Sequence, residues 1–202
     1  SDVYKRQLLN SKLLNFIYFS LFETQHPGGS FQFDIPYLNY LPIKEPNNLE
    51  KRILSMIHDL ISFSKLELKD KDNINLKFYL KFLIDLSNYL VYELYFKEKF
   101  IEDSKKAIKE GKEPIYLQLE KGSFLVDLVA KYLKPIDYDS YARLSYSIEP
   151  LSEEDKQRME KMKGEHLKTI EEVVEAIKAD KEIMRIIERI KQHEWVKVIE
   201  KH

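Results

Sequence analysis

INLKFYLKFLIDLSNYLVYELYFKEKFIEDS, residues 74–104, is the stretch on which the fold turns. Within it Phe78, Leu80, Phe82, Leu83, Ile84, Leu86, Leu90, Val91, Leu94, Tyr95 and Phe96 supply an apolar surface at helical spacing. This predicts one long helix from about Ile74 to Ser104 that forms the spine of the core. Its most apolar window, 76–96, is about long enough to cross a bilayer. That window also holds Lys77, Lys81, Asp85 and Glu93, and each charge at membrane depth costs roughly 2.5–3.5 kcal/mol. The stretch therefore reads as a helix buried in a soluble fold, and no membrane partner is expected.

Just upstream, Leu49, Ile53, Met56, Ile57, Leu60 and Phe63 recur at steps of three and four, with Glu50, Lys51, Arg52 and Asp59 outside that stripe. The charged connector Lys69-Asp70-Lys71-Asp72-Asn73 makes the two segments an antiparallel pair. Farther upstream, residues 7–23 form a helix so apolar that other elements must cover it, and those elements are expected upstream in a longer protein. Asp2–Gln7 reads as a junction of artificial origin. His26-Pro27-Gly28-Gly29-Ser30 is a break rich in turn formers. Phe31, Phe33 and Ile35 then alternate with Gln32 and Asp34, which predicts a short strand. Leu41-Pro42-Ile43 closes this unit, and 44–48 is a polar connector.

Downstream of Gly111, the alternation of Ile115, Leu117 and Leu119 fits a strand or a helical turn, and 124–133 a short helix. Tyr138, Tyr141 and Tyr146 form a packing surface. Ser152 with Asp155, and Thr169 with Glu172, resemble capping boxes at helix starts. Val173, Val174 and Ile177 make one helical stripe, and Ile183, Ile186, Ile187 and Ile190 another beyond Asp180. Trp195-Val196-Lys197-Val198-Ile199 reads as a terminal strand. The expected class is mostly α, a helical bundle with a long antiparallel helix pair and a few short strands near residues 31–35 and the C-terminus.

Composition narrows the chemistry. With 33 Lys+Arg against 34 Asp+Glu, the net charge is -1, so any nucleic-acid contact has to be local. The absence of cysteine removes disulfide, thiol and thiolate-metal chemistry and fits a cytoplasmic location. There is no Gly-rich nucleotide loop, nucleophile elbow or HExxH pair. The histidines at 26, 58, 166, 193 and 202 show no metal-ligand spacing, and His58 is expected to be a partly exposed surface residue rather than a ligand. No catalytic, cofactor-binding or metal-binding residue is assigned.

Leu9-Asn10-Ser11-Lys12-Leu13-Leu14-Asn15-Phe16, then Gly28-Gly29-Ser30-Phe31-Gln32-Phe33, then Tyr37-Leu38-Asn39-Tyr40-Leu41-Pro42-Ile43 stand in a distinctive order. Together they resemble the C-terminal target-recognition region of type IIG restriction–modification adenine methyltransferases, and more loosely the repeats of type I specificity subunits. Residues 84–96, with Val91-Tyr92-Glu93-Leu94-Tyr95, are similar to the helix that follows in such enzymes. The likeness covers about the first half of the chain. It implies that residues 1–45 are the end of a target-recognition domain, 46–110 an antiparallel helical spacer and 111–202 a helical C-terminal extension. It further implies double-stranded DNA as partner, with an upstream methyltransferase domain in cis that binds S-adenosylmethionine and carries an Asn-Pro-Pro-Tyr motif to hold a flipped adenine. Neither motif occurs in this chain, so catalysis by these residues alone is not expected.

Within that resemblance, Gly28 and Gly29 offer close backbone approach to DNA. Gln25, Ser30 and Gln32 are suited to base edges or phosphates, and His26 and Lys44 to phosphates. The alternative from the residues themselves is that the glycines only turn the chain. The module is then a helical protein–protein interaction or scaffold unit without DNA binding.

Overall fold

The computed structural model describes residues 3–22, 39–69 and 72–201, and places the apolar run at 74–104 in one helix that continues to Lys109. The Asn73 side chain starts it by accepting the Leu76 N–H at 3.0 Å. Gly111, at φ +66°, ends it in the left-handed region where a side chain is strained. The N–H groups of Gly111 and Lys112 then close onto the carbonyls of Ile108 (3.2 Å) and Ala107 (2.8 Å), satisfying the last turn.

The helices among the described residues are α1 (Val3–Leu9), α2 (Lys12–Phe22), α3 (Asn48–Glu67), α4 (Ile74–Lys109), α5 (Leu125–Val129), α6 (Tyr138–Ser145), α7 (Glu153–Ala179), α8 (Lys181–Gln192) and α9 (Glu194–Glu200). A reciprocal cap opens α3: Glu50 N–H donates to the Asn47 side chain, and Asn47 N–H to the Glu50 carboxylate. Lys97 of α4 lies 3.8 Å from Glu50 at the start of α3, while the short connector joins the other ends. The two helices are therefore antiparallel.

Helix α4 packs against α2, α3, α5, α7 and α8. Its inward face (Leu83, Leu86, Val91, Phe100) joins Ile53, Ile57, Leu60 and Phe63 of α3 in one apolar cluster. The same cluster takes in the Val173 and Ile183–Ile190 stripes of α7 and α8. Asp180 divides those two helices, its carboxylate accepting the N–H groups of Glu182 and Ile183, both at 3.0 Å.

Several sequence expectations are corrected. The chain is mostly helical, and no strand occurs among the described residues; the one expected at 31–35 lies outside them. Residues 115–119 pair with no strand. Side chains take their backbone polar groups instead: Arg185 donates to the carbonyls of Pro114 and Ile115 at 2.9 Å, and Ser104 accepts the Tyr116 N–H at 3.1 Å. The predicted terminal strand is helix α9, because Val196 and Ile199, three residues apart, are the buried pair while Trp195 and Val198 face outward. Alternation of residue types there conceals a helical period. The apolar segment 7–23 is broken at Asn10-Ser11, where Ser11 Oγ donates to Leu8 O (2.6 Å) and accepts from Leu14 N–H (3.3 Å). Thr169 caps no helix start. It lies inside α7 and donates to Glu165 O at 2.9 Å, the back-bond of a mid-helix threonine.

Candidate nucleic-acid interface

Of the expected DNA-contacting residues, Gln25, His26, Gly28, Gly29, Ser30 and Gln32 lie outside the described residues, and Lys44 lies within them. The segments on either side of 23–38 are held on a single helix. Asn88 of α4 donates to Ile84 O at 3.1 Å and accepts the N–H of Lys12 at 2.9 Å, satisfying one of the open donors at the start of α2. Two turns farther along the same face of α4, the Tyr95 hydroxyl donates to Pro42 O at 2.9 Å and accepts the N–H of Lys44 at 3.0 Å. The rings of Phe22 and Tyr40 meet at 6.5 Å, so the chain leaves and rejoins the described bundle at neighbouring points.

Residues 41–44 form a tight turn. Ile43 N–H closes onto Leu41 O at 2.8 Å around Pro42, whose ring fixes the backbone angle such a turn uses. Burial pushes the Tyr95 phenol up from its ordinary pKa, keeping the O–H that this bridge needs. Lys44 is exposed. The neighbouring acid, Glu45, is bound by Lys51, which holds its carboxyl below the usual range. Lys44 makes no ion pair among the described residues.

Behind this face lies a buried carboxylate. Glu93 is 1% exposed. Its Oε2 accepts the Tyr116 hydroxyl (2.7 Å) and Leu125 N–H (2.8 Å), and its Oε1 accepts Val126 N–H (2.9 Å). Phe124 occupies the cap position of α5 but has no acceptor to offer, so Glu93 supplies it from another helix. Asp127 reaches back to the N–H groups of Gly122 (3.1 Å) and Phe124 (3.3 Å). Burial pushes the Glu93 carboxyl up, opposed by the three donors. The sequence offered one signal for this site: a lone acid amid Leu90–Phe96 has to be matched once buried.

Other charged groups hold the scaffold together. Glu200 of α9 accepts from Tyr92 at 2.7 Å and pairs with Lys12. His193 accepts Trp195 N–H at Nδ1 (3.2 Å), which leaves its proton on Nε2 for donation to Asp103 at 3.0 Å. His58 is half-buried and faces Ser62 at 3.3 Å. Beside it Asp59 is pushed up to about 6 by burial and by Asp139 and Asp137.

Among the described residues no group of three or more metal-ligating side chains gathers, and no helix is long and apolar enough to cross a membrane. An open surface groove of about 480 Å³ lies beside Lys97 and Lys121. Comparison with protein-family models, curated proteins and solved structures found no match.

Proposed function

We propose that this chain is the DNA target-recognition and scaffold portion of a site-specific DNA adenine-N6 methyltransferase of a restriction–modification system. The chemistry belongs to an upstream domain in cis that binds S-adenosylmethionine. One observation supports this reading above others. Of the four sequence segments that carry the resemblance, 28–33 lies outside the described residues, and the described parts of the other three, 9–16, 39–43 and 84–96, converge. Asn88 holds the backbone of Lys12, and Tyr95 holds that of Pro42 and Lys44. Segments kept in order along a chain and bonded to one another form a physical unit, here a platform from which residues 25–32 and Lys44 meet duplex DNA. Target reading then falls to Gln25, Ser30 and Gln32, with phosphate contact by His26, Lys44 and the Gly28-Gly29 backbone.

The coding sequence upstream of Ser1 tests the assignment. It is expected to run in frame into an Asn-Pro-Pro-Tyr motif, and the full gene product should methylate adenine within one DNA site. A start codon immediately before Ser1, with no methyltransferase gene alongside, would contradict the reading.

The second reading, a helical scaffold that never touches DNA, is favoured by the even charge balance and by the pairing of surface cations such as Lys12, Lys51 and Lys134 with acids. Binding to the isolated upstream domain, undiminished by competing duplex DNA, would select it.

A further inference from the structure

We infer that Tyr95 is a positioning residue for Lys44, holding that lysine's backbone so that its ammonium meets a phosphate of duplex DNA. The inference rests on the DNA-recognition reading above. A lysine is a point charge on a flexible stem, and much of its binding energy is lost to ordering that stem. Fixing the backbone removes the separate cost of ordering the turn that carries the stem before DNA arrives. Tyr95 does so with both capacities of one hydroxyl, donating to Pro42 O and accepting from Lys44 N–H, so the turn is clamped on both sides of Ile43. The turn's own bond between Ile43 and Leu41 stiffens it further. The surrounding charge leaves Lys44 available. Glu45 is engaged by Lys51, and Glu50 by Lys97 and by its cap on Asn47. The acids nearest in sequence are thus answered, while Lys44 is exposed and makes no ion pair among the described residues.

The test is a double-mutant cycle on the full gene product, titrated with short duplex DNA of random sequence over a range of salt. Lys44→Ala is expected to lower the magnitude of the slope of log affinity against log salt by about 1. Tyr95→Phe should weaken binding roughly 2- to 10-fold, the range of one net hydrogen bond. In the Lys44→Ala background it should do nothing further. Amide exchange at Lys44 in the unaltered chain gives a readout that needs no variant to fold: protection is expected, because Tyr95 accepts that N–H. An equal loss from Tyr95→Phe in both backgrounds, no loss at all, an unchanged slope in Lys44→Ala, or a Lys44 amide exchanging like a free one would overturn the inference alone. A parent protein with no salt-dependent DNA binding would remove the reading on which it rests.

Discussion

Glu93 and Tyr116 lie 23 residues apart in the chain and are joined side chain to side chain, the phenol donating to the carboxylate at 2.7 Å. The same carboxylate accepts the N–H groups that open α5, so a single acid ties the long helix to the irregular 112–124 segment and to the short helix beyond it. Removing it strands three buried donors at once. Glu93→Ala is expected to cost roughly 3–5 kcal/mol, as for removal of one partner from a buried charged network. Glu93→Gln keeps the volume but turns an amide N–H₂ toward donors, and should cost roughly 1–3 kcal/mol. Urea denaturation of both variants measures this. A Glu93→Ala midpoint equal to the parent's would show that the carboxylate does not hold α5.

Asp59 supplies a pH dependence of known sign. Its folded pKa, about 6, lies above its ordinary 3.8, so the folded state binds the proton more tightly. The stability linked to that proton is fully present below about 3.8 and is lost as pH rises through 6. Asp59→Asn should therefore stabilise the protein at pH 7. Because the group is half exposed, solvent screening limits the gain to about 1 kcal/mol or less. Melting temperatures of the two proteins should converge toward pH 4, and a gap that widens in acid would refute the assignment.

The core placement is tested at Leu86 and Leu90, which are 1% and 4% exposed. Either residue changed to alanine should cost roughly 2–5 kcal/mol, the range for a buried leucine. Unchanged melting in both variants would move the core elsewhere.

Much of the scaffold was legible because its helices bury stripes at a regular period, as in 74–104 and in Ile183–Ile190. Legibility failed where the decisive partner was distant in sequence. Trp195–Ile199 alternates like a strand, yet its burial follows a period of three once α4 and α8 are in place. Residues 115–119 also alternate, but the carbonyls of Pro114 and Ile115 are claimed by Arg185, some seventy positions away. The wiring of the candidate site was not legible. Nothing local to Val91–Phe96 says that Tyr95 bridges Pro42 and Lys44, or that Glu93 caps α5. Such roles exist only after α4 has been packed.

The helix caps permit a direct comparison. Asp180→Ala removes the acceptor for two N–H groups at the start of α8 and should cost about 0.5–2 kcal/mol. Thr169→Ala, at a mid-helix position where threonine is a poor helix former, should be neutral or slightly stabilising. Thermal melts that reverse this order would return the helix boundary to Thr169.

DNA recognition itself is measured most directly by selecting from a randomised duplex pool with the full gene product, then titrating the selected duplex at increasing salt. The account predicts enrichment of one short site, bound roughly 10³-fold or more above random sequence, with affinity falling linearly in log salt. Recovery of the pool unenriched, with equal affinity for every duplex or none at all, would contradict it.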